Sequence, residues 1–138
     1  EQRDGKVYVS MENKLLFKPG SWAVGSQGRQ AIRQLAMVLE ENKDIAILIE
    51  GHTDDEPYIG DSKLSGNWDL SVKRATSIVA LLLKNNGVTP GNITAAGKGE
   101  YAPLVPNSSA SNRSKNRRIE VILAPKLDEI GKLLQDLD

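Results

Sequence analysis

A two-layer α/β sandwich, with helices packed on one face of a small mixed β-sheet, is the fold class this sequence predicts. Three observations predict it. Two segments carry apolar stripes at helical spacing: Ile32, Leu35, Ala36 and Leu39 fall at i, i+3, i+4 and i+7, and Ser71, Ala75, Ile78 and Leu82 line one face further on. The apolar run Ile45 to Ile49, the small-residue segment Ile93 to Ala96 and the alternating segment Arg118 to Leu123 read as strands between and after them. The order is then strand pair, helix, strand, helix, strand, short helix, strand, helix, so each main helix follows a strand. That is the arrangement of βαβ units, whose crossovers are right-handed.

In chain order, Lys6 to Ser10 alternates, with Val7 and Val9 on one side and Tyr8 and Ser10 on the other. With Leu15-Leu16-Phe17 as a second run and Glu12-Asn13-Lys14 as the turn, it predicts a hairpin that ends at Pro19-Gly20-Ser21. Trp22 is expected to cover a core edge. The first helix starts at Ser26 as cap, turns Arg29, Gln30, Arg33, Gln34, Glu40 and Glu41 outward, and frays at Asn42-Lys43. Ile45 to Ile49 is apolar at every position, which predicts a strand covered on both faces or central in its sheet. Asp54 to Ser65, with Pro57, Gly60 and Asp61, reads as an exposed, mobile loop.

The second helix is expected over Asn67 to Asn86, with Val79 and Leu83 widening its stripe and Gly87 as C-cap. After a turn at Val88-Thr89-Pro90-Gly91 comes the small-residue strand Ile93 to Ala96, ended by Gly97-Lys98-Gly99. Its alanines and glycines predict close backbone packing or a bulge. A long loop follows, then a short helix over Asn112 to Asn116, then a strand with Ile119, Val121 and Leu123 inward. Pro125 closes it. The domain is thus expected over 1–125. In the tail, 126–138, Leu127, Ile130, Leu134 and Leu137 share a face that would pack on the domain or join a partner helix.

Composition bounds the function. The chain has 138 residues, 18 basic and 18 acidic, with a formal charge of zero. That balance argues against a nucleic-acid binder. No cysteine is present, so disulfide and thiolate chemistry are excluded. The longest apolar run, Ile78 to Leu83, is far too short to span a bilayer. The chain opens Glu1-Gln2-Arg3-Asp4 without an initiator methionine, so it reads as a fragment cut from a longer precursor, in which a targeting or anchoring segment could precede it.

The chemistry converges on one place. Gly51-His52-Thr53-Asp54 ends a strand, and Asn67-Trp68-Asp69-Leu70-Ser71 and Arg74-Ala75 open the next helix. Asp54 there suits an ammonium group. Arg74, a rigid fork of donors, suits a carboxylate, as do backbone N–H groups at a helix N-terminus. Together they make a clamp for a small zwitterion. The competing reading is structural: Asp54 caps the helix and Arg74 is its ion pair. His52 reads first as a satisfied histidine at a strand end. A zinc site would need carboxylates for every other ligand, and Asp54-Asp55-Glu56 lacks the spacing of a calcium loop, so no metal or cofactor is expected. No Gly-x-Ser-x-Gly elbow is present, Gly97-Lys98-Gly99 lacks the rest of a phosphate loop, and no enzyme is expected. The basic cluster Asn112 to Arg118 reads as bracing for a short helix, with Arg118 opening an edge strand, ahead of a phosphate-binding patch.

These motifs resemble the OmpA-like, or OmpA/MotB C-terminal, domain family over Leu15 to Leu123. The resemblance rests on Gly51-His52-Thr53-Asp54, on Asn67-x-x-Leu70-Ser71-x-x-Arg74-Ala75, on Gly97-x-Gly99-Glu100-x-x-Pro103 with Asn107, and on Asn112-Arg113 with Asn116-Arg117-Arg118-Ile119-Glu120. It implies a βαβαβ(α)β sandwich that binds peptidoglycan noncovalently in the periplasm. By resemblance, Asp54 and Arg74 hold the diaminopimelate of the stem peptide. Thr53 and Asn67 support them, and Asn112 and Arg117 border the pocket. The long loop beginning Asp54-Asp55-Glu56-Pro57-Tyr58 and the segments Gly99-Glu100-Tyr101-Ala102-Pro103 and Val105-Pro106-Asn107 look like the flagellar stator MotB branch, which implies a dimeric wall anchor. Lys98 stands where the family often has an aromatic. A dimerisation module and, behind it, a cell-wall-modifying enzyme are the alternatives.

Overall fold

The computed structural model describes residues 2–3, 5–18, 20–59 and 64–125. The tail 126–138 and its expected amphipathic helix therefore lie outside the described residues, as do Pro19, Gly60 and Asp61. Among the described residues one mixed sheet of five strands carries the fold: β1 (Gln2–Arg3), β2 (Lys6–Glu12), β3 (Ile45–His52), β4 (Ile93–Gly97) and β5 (Arg118–Pro125), in the order β1-β2-β5-β3-β4. The helices are α1 (Asn13–Leu16), α2 (Ser26–Glu41), α3 (Asn67–Leu82) and α4 (Ala110–Asn116), with a 3-10 turn at Pro90–Asn92. Among the described residues no helix is long and apolar enough to cross a membrane.

Strands β3 and β4 pair in parallel around α3, with Ile49 opposite Ala95 and Gly51 opposite Gly97. This is the expected βαβ unit. Strand β5 is antiparallel to both its neighbours, with Val121 opposite Val9 on one side and Ile49 on the other. The second crossover, β2 to α2 to β3, therefore spans a gap that the last strand fills. Arg118 opens this interior strand and not the edge strand read from the sequence.

The expected hairpin does not form. Strand β2 finds its partner in β5, at the far end of the chain. Leu15-Leu16-Phe17 is not a strand: Asn13–Leu16 makes one helical turn, and Phe17 forms an isolated bridge with Val24. That turn puts Leu16 and Phe17 into the core, where a local return strand would have carried them along the sheet.

Helix α2 buries Ile32, Ala36 and Leu39 as its stripe requires, with Leu35 half-buried against the same core. Gly25, not Ser26, is its N-cap. Helix α3 buries Leu70, Ala75, Ile78 and Leu82 and stops at Leu82, short of Asn86, with Leu83 and not Gly87 as C-cap. The core lies between these helices and Ile47, Ile49, Ile119 and Val121 on the inner sheet face. Strand β3 is interior, between β5 and β4, but its faces differ: Ile47 and Ile49 are buried while Ala46 and Leu48 are half-buried. Beyond Ile49, the outer face holds ionic side chains out of water. The Arg118 Nε donates to Glu120 Oε1 at 2.6 Å, and His52 Nε2 lies 2.7 Å from Glu50 Oε1.

Candidate functional site

Two glycines set the position of α3. A Cβ on Gly51 would lie 2.0 Å from the Ser71 carbonyl oxygen, and one on Gly97 would lie 2.4 Å from Ser71 Oγ. Only bare backbone lets the helix rest on β3 and β4 this closely. The small-residue strand read from the sequence does this work, with no bulge in its register. Ser71 then ties the layers together: its hydroxyl donates to Trp68 O at 2.8 Å and accepts from Gly99 N at 3.0 Å. Past the strand ends, Lys98 N donates to Gly51 O and Thr53 N to Gly99 O. The parallel pairing is thereby prolonged until Thr53 and Asp54 stand at the carboxyl ends of the strands, the common place for ligands in α/β sheets.

Asp54 is buried, not part of an exposed loop. Its Oδ1 accepts from Glu56 N at 3.0 Å, and its Oδ2 accepts from Arg117 Nη1. The Asn67 amide donates to Asp54 O at 3.3 Å and to Glu56 O at 2.9 Å, pinning the loop to the start of α3. The Thr53 hydroxyl donates to Asp54 O at 2.9 Å. Thr53 and Asn67 thus hold the loop backbone that carries the Asp54 carboxylate.

Arg74 lies two turns into α3 and is only 4% exposed. Its Nε donates to Ser21 O at 2.9 Å, and its guanidinium carbon sits 5.2 Å from the centre of the Phe17 ring. Among the described residues it pairs with no carboxylate. Burial first, and the nearby Arg117 charge second, lower its pKa to about 10, with Tyr58 and Asp54 acting in the opposite direction. At neutral pH it is charged.

Both halves of the structural alternative fail here. The N-cap of α3 is Gly66, without a side-chain cap, and the ion pair of Asp54 is with Arg117 and not Arg74. Asp54 and Arg74 instead line one cavity of about 540 Å³, together with Thr53, Asn67 and Arg117.

Asn112 is not brought to this cavity. It lies in the first turn of α4, where its N–H donates to the capping Ser109 Oγ at 3.0 Å and its amide donates to Ser108 Oγ at 3.3 Å. The basic cluster is largely spoken for: Arg113 holds Asp55 at 2.9 Å, Arg117 holds Asp54, and Arg118 holds Glu120. His52 is buried, with Nε2 on Glu50 and Nδ1 without a partner among the described residues. Burial, then Arg118, lower its pKa, so it is neutral at pH 7.

Sequence reasoning missed one wall of the cavity. Asn13, Phe17 and Tyr58 line it, and Ser21 fixes Arg74 through its carbonyl. The missed signal was Asn13, which was read as turn chemistry. Its backbone N–H donates to Arg117 O at 2.8 Å, while neither end of its buried side-chain amide has a partner among the described residues.

Comparison with known proteins agrees with this architecture. The family model described as "OmpA family" matches residues 16–117. Motility protein B of Bacillus subtilis is 34% identical over 87% of the chain and 46% of its own length. The periplasmic domain of Helicobacter pylori MotB superposes with a TM-score of 0.85 at 27% identity, over 100% of this chain and 85% of that one. A Pseudomonas aeruginosa structure described as the cell wall anchor of the T6SS superposes at 0.82 and 29% identity, over 91% of this chain and 86% of that one. The chain spans about half the length of the curated motility relatives it matches. From motifs, topology and relatives together, the chain belongs to the OmpA family, on its MotB-like branch of periplasmic peptidoglycan-binding domains.

Proposed function

We propose that the chain binds peptidoglycan noncovalently through the diaminopimelate-containing stem peptide, and so anchors an envelope protein to the cell wall. Arg74 takes a carboxylate of the diaminopimelate head. Asp54 takes its ammonium. Thr53 and Asn67 hold the loop that presents Asp54. No bond is made or broken, so the chain acts as an anchor and not as an enzyme. It works in the periplasm as part of a membrane-anchored protein, and a homodimer would join two weak wall contacts into a firm one.

The observation that carries this reading is Arg74: a buried guanidinium without a carboxylate partner among the described residues, opening on a cavity that also holds a buried carboxylate. Holding a lone charge out of water costs several kcal/mol unless it is paired. A ligand carboxylate supplies the pair. The similarity to a structure described as a cell wall anchor supports the same reading.

Calorimetric titration of the chain with a diaminopimelate-containing stem tripeptide tests it. Saturable binding that Arg74→Gln weakens by about 10-fold or more is expected, the loss of a charge-assisted contact of roughly 1.5–3 kcal/mol. Equal binding by the variant would overturn the assignment of Arg74.

A further inference from the structure

Asp54 is not an open acceptor. Its Oδ1 is engaged by Glu56 N and its Oδ2 by Arg117 Nη1. A carboxylate has further lone pairs, but Arg74 already faces the same cavity, and the Arg117 charge lowers its affinity for a proton. With Arg74 taken by the ligand's carboxylate, an ammonium group arriving at Asp54 meets the Arg117 guanidinium already on Oδ2, two cations on one buried carboxylate. Like charges at such range repel, so one of them leaves.

The candidate for leaving is evident from exposure and attachment. Arg74 is 4% exposed and tied to Ser21 and Phe17. The Arg117 side chain is 39% exposed, against 7% for that of Asp54. Arg117 is the C-cap residue of α4, and its backbone is held independently of its side chain, by N–H to Arg113 O and by its carbonyl to Asn13 N. The guanidinium can swing into water while the chain stays in place.

Resting on the wall-peptide reading above, we infer that Arg117 is a displaceable stand-in for the ligand's ammonium on Asp54, so that the site takes a zwitterion by ion exchange. The exchange keeps the buried carboxylate paired throughout, since one cation replaces another. It also makes Arg117 a determinant of specificity. A ligand with carboxylates and no amine seats on Arg74 and leaves Arg117 where it is. A ligand with an ammonium must compete with Arg117 for Asp54.

Two small probes separate these cases: meso-diaminopimelate, and heptanedioate, which has the same carbon chain and carboxylates but no amines. Both are titrated by NMR into the full 138-residue chain and into Arg117→Gln and Arg117→Lys, with the amide spectrum of each variant as the check on its fold. The readout is the ratio of the two affinities. Arg117→Gln removes the competitor, so the preference for diaminopimelate over heptanedioate rises at least about threefold. Arg117→Lys keeps a competing cation and stays near the unmodified ratio. An unchanged or lower ratio in Arg117→Gln overturns the exchange while leaving the wall-peptide reading intact. Failure of the unmodified chain to bind either probe overturns both.

Discussion

Replacing Arg74 with methionine separates a structural arginine from a binding one. Burial and the neighbouring Arg117 lower the Arg74 pKa well below the ordinary guanidinium range, to about 10. Each factor of ten in proton affinity is about 1.4 kcal/mol, so the fold holds the charged form at a cost of roughly 3 kcal/mol. The sign follows from linkage. The unfolded chain binds this proton more tightly, so the cost is fully present at neutral pH and fades only as pH rises through 10 toward the unfolded value. Methionine fills much the same volume without charge and relieves that cost. It loses the Nε contact to Ser21 O, about 1.5–3 kcal/mol for a charged donor, and the approach to Phe17, about 0.5–2 kcal/mol. The two sides nearly cancel. Arg74→Met should therefore melt within about 2 kcal/mol of the unmodified chain in urea unfolding at pH 7, while titration with the stem tripeptide shows no binding. A loss of 4 kcal/mol or more would refute the reasoning, because it would make Arg74 part of the scaffold.

Three further outcomes follow from the same geometry. Gly51→Ala drives a methyl to 2.0 Å from the Ser71 carbonyl; the obstructing atoms are backbone, so urea unfolding should show a loss at or above the roughly 1–3 kcal/mol of ordinary overpacking, with ligand binding lost as α3 shifts. Asn116→Ala removes a fully buried amide that donates to Val105 O and Asn107 Oδ1 and accepts from Leu104 N and Val105 N; at about 1 kcal/mol each, urea unfolding should show a loss of roughly 4 kcal/mol. His52 has its pKa lowered by burial and by Arg118, so the unfolded chain takes up its proton first as pH falls. The stability it contributes is whole above pH 6.5 and is lost below it. Urea unfolding at pH 7 and pH 5 should show His52→Gln losing less stability on acidification than the unmodified chain.

The long elements were legible because their pattern is local. The stripe Ile32, Leu35, Ala36, Leu39 and the run Ile45 to Ile49 need no partner to be read as helix and strand. Strand β2 was visible too, but its partner was not: Val9 faces Val121, and alternation within a strand says nothing about a mate at the other end of the chain. The nearest apolar run, Leu15-Leu16-Phe17, was taken for that mate. Four residues of helix are too short for periodicity to show. In the site, Asp54 and Arg74 were found from residue type at a strand end and a helix start. The ion pair of Asp54 with Arg117 joins residues 63 apart and could not be read from spacing. Asn112 borders the pocket only by the family resemblance, and here α4 turns it toward Ser108 and Ser109. The ionic outer face was hidden because the apolar run before Glu50 and His52 suggested an apolar strand throughout.

The central claim is that Asp54 and Arg74 hold the wall polymer, and cosedimentation with purified diaminopimelate-type sacculi tests it most directly. The unmodified chain, Asp54→Ala and Arg74→Met are compared after thermal melts have shown each to be folded. The account predicts that the unmodified chain pellets with the sacculi and that both folded variants remain in the supernatant. Pelleting of both variants to the same extent as the unmodified chain would contradict it.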